Sequence, residues 1–445
     1  MEEKTIAATS TPVGVGGISI IRMSGKDSKK ILESIFSSHS KNFLAHGFMT
    51  LGIIKTNKFK EKCLCVYFKS PLSYTGEDVV EIQCHGGEKI TEEILVELID
   101  KGAVLAEPGE FTKRAFMNGK LSLDEAEGVI DIINAESESE IRAGYDLIEG
   151  GLKRAIDGMQ KDLTDLLAKI EVSLDYPEND YEYETKNEII IKTSKIKKEI
   201  GDLIKTSKTG LKLKTGIKVV ILGNPNVGKS SLMNAMLNYD RSIVTKVSGT
   251  TRDILEENYL FNGIKFLLVD TAGIKNNAKS VEKIGVERAL QSINTADVIL
   301  FVLDGSLELS NSEKQIFNRI NDKKYIIVVN KSDKKQSLDL KQFKNPMVIS
   351  AKNGRNIEEL KKRIYDEVFE GRVQSGTIIT NTRHLSVLKD ALRKAKIVLD
   401  NIEGESIDIL SMELRDVWLT LGEITGETSN EKIIDTIFAK FCVGK

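Results

Sequence analysis

The sequence predicts a multidomain α/β protein: an N-terminal α+β domain, a helical domain in two pieces, and a nucleotide-binding α/β domain inserted between those pieces. Three observations carry this. A glycine-rich loop, Gly223-Asn-Pro-Asn-Val-Gly-Lys-Ser230, joins a strand-like run to a helical one. From Ile217 to about Gly371, short apolar runs alternate with helical segments, which implies a mostly parallel sheet covered on both faces. Helical periodicity flanks that stretch on either side, and two helical pieces too short for separate cores are most simply one domain interrupted by an insertion.

Bulk properties narrow the class. A chain of 445 residues has the length of about two to four domains. Its 40% hydrophobic and 29% charged content describes a globular protein with ample core. No apolar run approaches the ~20 residues that span a bilayer, and MEEKTIAATS lacks the layout of a secretory signal. Four cysteines without a CxxC pair give neither a disulfide framework nor a zinc signature. The expectation is a cytoplasmic protein with no membrane association. A net charge of −2 offers no global attraction for nucleic acid. The lysine-rich stretch from Lys192 to Lys218 is the best local candidate, but its pattern fits a solvated helix face better.

Residues 1–118 read as α+β. Strand-like runs at Ile18–Ile21, Cys63–Phe68 and Val79–Gln83 are separated by glycine turns, and Thr91–Leu98 reads as helix. Residues 119–214 form the first helical piece, through Leu121, Leu123, Ala126, Val129, Ile130 and Ile133, then Leu163, Leu166, Leu167, Ile170 and Leu174. An acidic break at 175–184 reads as a solvated loop before a helix over 188–205. Residues 215–371 hold the inserted domain, with strands at Val219–Leu222, Phe266–Val269, Val298–Leu303, Ile326–Val329 and Met347–Ile349. Residues 372–445 return to helix, through Leu385, Leu388, Leu392 and Val398, then Leu410, Leu414, Val417 and Leu421, and finally Ile433, Ile434, Ile437 and Phe438.

The glycine-rich loop follows a strand and opens a helix, where backbone N–H groups and a helix N-terminus can wrap phosphates. Lys229 should reach the β- and γ-phosphates and Ser230 should bind Mg²⁺. Three further signatures follow in order, each closing an apolar run: Asp270-Thr-Ala-Gly273, Asn330-Lys-Ser-Asp333 and Ser350-Ala-Lys352. Asp270 can hold the metal's water shell, and the Gly273 N–H can meet the γ-phosphate. Asp333 can accept from guanine N1–H and its exocyclic amine, Asn330 suits the O6/N7 edge, Lys331 can cover the ring, and Ser350-Ala351 can add backbone support. Adenine offers neither donor in that place, so the expected nucleotide is GTP in a Ras-like P-loop domain.

Gly249-Thr-Thr-Arg-Asp253 lies where a first switch segment belongs, with Thr251 as second metal ligand. The residue after Asp270-Thr-Ala-Gly273 is Ile274, so the water-orienting glutamine of Ras-like enzymes is missing. Asn226, a neutral oxygen ligand within the loop, could hold a monovalent cation that supplies the charge of an arginine finger. Glu282 could orient water; by spacing alone it reads more readily as a solvated glutamate on the helix that follows.

These residues resemble the tRNA-modification GTPase family MnmE/TrmE, and the likeness covers essentially the whole chain. TIAATSTPVGVGGISIIRMSG (5–25), SYTGEDVVEIQCHGGEKI (73–90) and PGEFTKRAFMNGKLSLDEAEGVIDII (108–133) look like its N-terminal hallmarks. GNPNVGKSSLMNAML, VSGTTRD and DTAGI look like its nucleotide segments, and Phe441-Cys-Val-Gly-Lys445 looks like its C-terminal tail. The resemblance implies a cytoplasmic homodimer, formed through the N-terminal domain, that binds a one-carbon (formyl or methylene) tetrahydrofolate. With an MnmG/GidA-like FAD protein, it would add an aminomethyl or carboxymethylaminomethyl group to C5 of the wobble uridine of certain tRNAs. Hydrolysis would be activated by K⁺ as two nucleotide domains dimerise.

Residue by residue, the resemblance implies K⁺ ligands at Asn226, Thr245, Val247 and Thr250, and Mg²⁺ at Ser230 and Thr251, with Asp270 acting through water. Glu282 takes the family's water-orienting place, and catalysis would rest on it with Lys229, Gly249 and Thr250. Nucleotide contacts would come from Asn226, Val227, Gly228, Lys229, Ser230 and Ser231, and from Thr245, Lys246, Val247, Ser248, Gly249, Thr250 and Thr251. Asp270, Thr271, Ala272 and Gly273 would add to them, with Asn330, Lys331, Ser332, Asp333, Ser350, Ala351 and Lys352 around the base. Folate would be held by Arg22, Glu81, Lys120 and Lys445, the cations meeting its glutamate carboxylates and Glu81 meeting the pterin.

Cys442 matches the family's near-terminal cysteine and reads as an inert thiol or a packing residue. His85, in a tight glycine turn, reads as structural or as ligand-lining. VGVGG at 13–17 stands where the family carries a proline- and arginine-containing loop. The alternative function is a GTPase switch in ribosome or RNA assembly without one-carbon chemistry, and the N-terminal region separates the two.

Overall fold

The computed structural model describes residues 4–40, 44–175, 181–238, 256–270, 293–369 and 377–445. They fall into two compact units, one of residues 1–130, 147–197 and 390–445, the other of residues 131–146 and 198–389.

The first unit opens with β1 (Ile6–Thr9), β2 (Ile18–Ser24), helix α1 (Ser28–Ile35), β3 (Phe36–Ser37), β4 (Thr50–Lys55), β5 (Lys60–Phe68) and β6 (Val79–His85). Helix α2 (Glu88–Asp100), β7 (Val104–Leu105) and α3 (Glu110–Met117) follow. The strands form one sheet in the order β3-β4-β5-β6-β2-β1-β7, antiparallel except where β7 runs parallel to β1. Side chains alternate across it. Ile21, Met23, Cys63, Cys65, Val80, Ile82 and Cys84 go under α1 and α2, while Arg22 and Glu81, opposite each other in the β2–β6 register, take the other face. The edge strands β3 and β7 and their neighbours β4 and β1, like α1 and α3, lack a long apolar run and are not predicted by the sequence.

Three helices follow: α4 (Leu123–Ile133), α5 (Glu138–Ile148) and α6 (Gly151–Asp175). Helix α7 runs unbroken over Tyr181–Thr215. Residues 181–184, expected in a loop, are therefore helical. Acidic residues at a helix N-terminus complement its dipole, so an acidic run there can open a helix. The lysines of 192–218 are largely engaged with carboxylates: Lys192 with Glu188, Lys195 with Asp162, Lys205 with Asp202, Lys212 with Asp297 and Lys214 with Asp131.

The second unit is built on β8 (Ile217–Leu222), α8 (Lys229–Asn238), β9 (Glu256–Phe261), β10 (Ile264–Asp270), β11 (Val298–Asp304), α9 (Asn311–Ile320), β12 (Tyr325–Asn330), β13 (Met347–Val348) and α10 (Ile357–Phe369). The sheet order is β13-β12-β11-β8-β10-β9, parallel except for the β9–β10 hairpin. β8 shows why the strands read as continuous apolar runs. Val219 and Ile221 enter one core with Phe266 and Leu300, while Val220 and Leu222 enter a second with Phe301 and Val329. A parallel sheet buried on both faces demands such strands. The adjacent C-terminal ends of β8, β11 and β12 are where ligands bind in open α/β sheets.

Helices α11 (Thr382–Asn401), α12 (Ile407–Thr425) and α13 (Glu431–Phe438) close the chain. α12 packs along α6 through Leu410, Leu414, Val417 and Leu421, all fully buried. Trp418 Nε1 donates to Thr164 Oγ1 at 3.1 Å. Ile434, Ile437, Phe438 and Phe441 share a core with Leu123 and Ala126. No described helix is long and apolar enough to cross a membrane.

Candidate functional site

The loop from Gly223 to Ser230 leaves the end of β8 and enters α8, and its path brings the backbone at Gly223 and Gly228 too close to neighbouring atoms for a side chain. Gly228 has φ of 96°, and a Cβ there would collide with the amide nitrogen of Asn330. Asn226 is also left-handed, with φ of 65°, a state asparagine tolerates better than most residues. Lys229 is buried, and its Nζ donates to the carbonyls of Gly223 at 2.8 Å and Asn224 at 2.9 Å. Its ammonium thus lies inside the curve of the loop. Val227 anchors the loop in the core, while Ser230 and Ser231 are exposed at the start of α8.

Asn330 is the hub. It is 2% exposed at the end of β12. Its Nδ2 donates to Val227 O at 2.9 Å, and its Oδ1 accepts from Ala351 N–H at 3.0 Å. The side chain thereby clamps the phosphate loop to the 350–352 loop. Asp333 is exposed, and Ser350 Oγ donates to its Oδ1 at 2.7 Å. That bond, then the local backbone, holds its carboxyl below the ordinary aspartate range, so it is an acceptor, as guanine N1–H requires. Ser332 N–H donates to Ile349 O at 3.0 Å, and Lys352 is exposed on the same loop.

Lys331 has φ of 64°. Its Nζ donates to Asn226 O at 2.7 Å and to Asp304 Oδ2 at 2.6 Å. Asp304, which closes β11 opposite Asn330, was not singled out in the sequence. An aspartate ending a wholly apolar strand beside the Asn330–Asp333 strand was the available signal. Beside the loop lies a cavity of about 430 Å³, walled by Asn224, Asn226, Asp304, Ser310, Glu313 and Lys331 among others.

Thr245, Lys246, Val247, Ser248, Gly249, Thr250, Thr251, Thr271, Ala272, Gly273 and Glu282 lie outside the described residues, as does the side chain of Asp270. The backbone of Asp270 ends β10, paired with Ile221 of β8.

The first unit gathers a second set. Arg22 Nε and Nη2 donate to Glu81 Oε1 at 2.9 and 2.7 Å, and Nη1 reaches Gly444 O at 3.4 Å. The guanidinium lies 5.8 Å from the ring centroids of both Tyr74 and Phe111, within cation–π range. The C-terminal tail crosses here. Ser10 Oγ donates to Gly444 O at 3.0 Å. Gly444 has φ of 90°, and a Cβ on it would run into the Thr9 carbonyl. Lys445 is half-buried beside Arg22; burial, then that guanidinium, lowers its ammonium pKa. Arg22, Glu81 and Lys445 therefore converge, with Arg22 and Glu81 paired to each other. Lys120 sits on the neighbouring 70–76 turn, its Nζ donating to Pro71 O at 3.0 Å.

Cys442 is exposed, so a packing role is excluded; its carbonyl accepts from Gly109 N–H at 3.4 Å. His85 is exposed with Nδ1 bonded to the nearly buried Glu61. The 13–17 turn meets that histidine's glycine turn through Gly16 N–H to Gly86 O at 2.8 Å.

A family model described as the MnmE helical domain matches residues 123–442, and one described as GTP-binding protein TrmE N-terminus matches residues 5–120. The chain is 41% identical over 456 residues to the tRNA modification GTPase MnmE of Clostridioides difficile (strain 630), covering 100% of this chain and 99% of that relative. The chain belongs to the MnmE/TrmE family. The MnmE of Thermotoga maritima is 40% identical, over 99% of this chain and 100% of its own, and that of Natranaerobius thermophilus 42% identical over the full length of both. As an MnmE-family member the chain is a GTPase.

Proposed function

We propose that this chain hydrolyses GTP in tRNA modification, as the tetrahydrofolate-binding subunit of a complex that builds an aminomethyl or carboxymethylaminomethyl group at C5 of the wobble uridine. The observation that carries the GTP part is the Asn330 clamp. One buried side chain joins the phosphate loop to the loop that orients Asp333, the acceptor that selects guanine over adenine. Mg²⁺ would be held by Ser230 and Thr251, with Asp270 acting through water. Ser230 fits, since its hydroxyl is a hard oxygen ligand and its side chain is exposed at the start of α8.

K⁺ would be held by Asn226, Thr245, Val247 and Thr250, and would supply charge beside the γ-phosphate as two nucleotide domains dimerise. Asn226 fits as an exposed neutral ligand in left-handed backbone. Glu282 would orient water, with Lys229, Gly249 and Thr250 completing the catalytic set, and Ile274 leaves no Ras-type glutamine to do so.

The folate reading rests on the convergence of Arg22, Glu81 and Lys445 near the exposed 13–17 turn. A half-buried ammonium beside a guanidinium is an anion-binding arrangement, which suits a polyglutamate tail. The bound one-carbon folate would supply the carbon unit. Glu81 would accept from the pterin, while Lys120 would serve the tail from the 70–76 turn. The remaining parts of the reading are a homodimer, an MnmG/GidA-like FAD partner and a cytoplasmic location.

The TrmE-type match over residues 5–120 favours this reading over a ribosome-assembly switch without one-carbon chemistry. Inactivating the protein in its host should deplete the modified wobble nucleoside, read by mass spectrometry. An unchanged nucleoside profile would exclude the modification role. Failure of the full chain to retain radiolabelled folate would favour the switch.

A further inference from the structure

We propose that Asp304 is a positioning residue for guanine-nucleotide binding. It pins Lys331 so that this one side chain clasps the phosphate loop at Asn226 while it lies over the base site, coupling the two halves of the pocket. The proposal rests on the nucleotide-binding reading above.

Asp304 uses its two oxygens for different purposes. Oδ1 accepts from Ser306 N–H at 3.0 Å and Ser306 Oγ at 2.7 Å, the local turn that aspartates commonly make at strand ends. A turn needs no more than that, and an asparagine would serve it as well. Oδ2 points instead at Lys331 Nζ, 2.6 Å away. The carboxylate is only 8% exposed and the lysine side chain 23%, so the ion pair is shielded from solvent and each partner is costly to leave alone. Parallel pairing of β11 with β12 puts Asp304 opposite Asn330, and Gly305 N–H donates to Asn330 O at 2.9 Å. The carboxylate therefore sits at a fixed height beside the residue that precedes Lys331.

A lysine ammonium is a mobile point charge on a flexible stem. Left to itself, it would sample many rotamers, and the Asn226 carbonyl alone would hold it weakly. With Oδ2 on one side and Asn226 O on the other, at 2.6 and 2.7 Å, the ammonium is held between the end of β11 and the phosphate loop. Phosphate-loop geometry and base coverage then change together.

Asp304→Asn keeps the turn acceptor and removes the charge that holds Lys331, so the variant should fold. Release of a fluorescent GDP analogue is the primary readout, because it needs no hydrolysis and so is independent of the catalytic reading. We expect release to accelerate at least fivefold and the KM for GTP to rise by a similar factor, with kcat within twofold. Asp304→Glu should recover part of the loss. Ser306→Ala, which frees Oδ1 but leaves the charge, should have a smaller effect in the same direction. Unchanged GDP release in Asp304→Asn, or a fall in kcat with KM intact, would overturn the proposal. A wild type that releases GDP slowly but fails to hydrolyse GTP would instead count against the proposed function.

Discussion

The Lys331 ammonium lies 2.7 Å from the Asn226 carbonyl oxygen, and both residues hold left-handed backbone, with φ of 64° and 65°. Two residues from different loops, each in a conformation that costs about 1 kcal/mol or more outside glycine, are thus tied to one another. The bond fixes the backbone of Asn226, the residue proposed as cation ligand.

Replacing K⁺ with Na⁺ should lower the GTPase rate at least tenfold, and Asn226→Ala should abolish that difference by removing the side-chain oxygen. Steady-state phosphate release in matched chloride salts measures both. Equal wild-type rates in the two salts would sink the cation mechanism.

Asn330→Ala should loosen the phosphate loop and the 350–352 loop at once. It leaves Val227 O and Ala351 N–H buried without their partner, and each orphaned group costs about 1–3 kcal/mol. Amide hydrogen exchange at Ala351 should accelerate by ten-fold or more, and GTP affinity should fall alongside. Protection at Ala351 equal to wild type would contradict the clamp.

Asp304 also carries a pH signature. Burial pushes its carboxyl up, but hydrogen bonds from Lys331 and Ser306 outweigh that and hold it below the ordinary aspartate range. A depressed folded-state pKa stabilises the fold above the unfolded value of about 3.9 and loses that contribution as pH falls through the folded value. The stability difference between wild type and Asp304→Asn should therefore be constant from pH 7 to about 5 and shrink below about 4. Denaturation midpoints across that range test it; a gap that widens on acidification has the wrong sign.

Phe441→Ala should destabilise the first unit by about 3–5 kcal/mol, the usual cost of truncating a buried phenylalanine, since Phe441 is 4% exposed against Phe438. The chain has one tryptophan, Trp418, and it lies in that unit, so its fluorescence during chemical unfolding follows the effect. A midpoint unchanged from wild type would remove Phe441 from the core.

Strands β8, β10, β11 and β12 are legible because a parallel sheet covered on both faces needs unbroken runs such as Val298–Leu303, whereas the two-residue edge strand β13 shows only through the apolar Met347–Ile349. β9 is not legible because Glu256–Phe261 opens with Glu-Glu-Asn and leaves only Tyr-Leu-Phe as an apolar run, at a sheet edge. In the first unit, Ile18–Ile21 and Val79–Gln83 are legible and lie in the central strands β2 and β6, whereas β3 and β7 are two-residue edge strands held by tertiary pairing. Arg22 and Glu81 were read separately; that they pair follows from strand register, which spacing in sequence does not carry. Asp304 was overlooked for a similar reason. Its importance comes from a neighbouring strand, and nothing within 298–306 reveals which lysine it will meet.

Phe441 and Gly444 lie three residues apart but answer to different demands: one fills the core beside Leu123, the other runs against Thr9 within reach of Arg22. The tail is therefore a tether whose slack is set by how firmly the terminal helix is packed. Anything that loosens α13 would let the tail drift off the sheet before the unit itself unfolds. Retention of the folate proposed to bind at Arg22 should then be lost at milder denaturant than the tryptophan signal, making its release an early warning of a protein beginning to come apart.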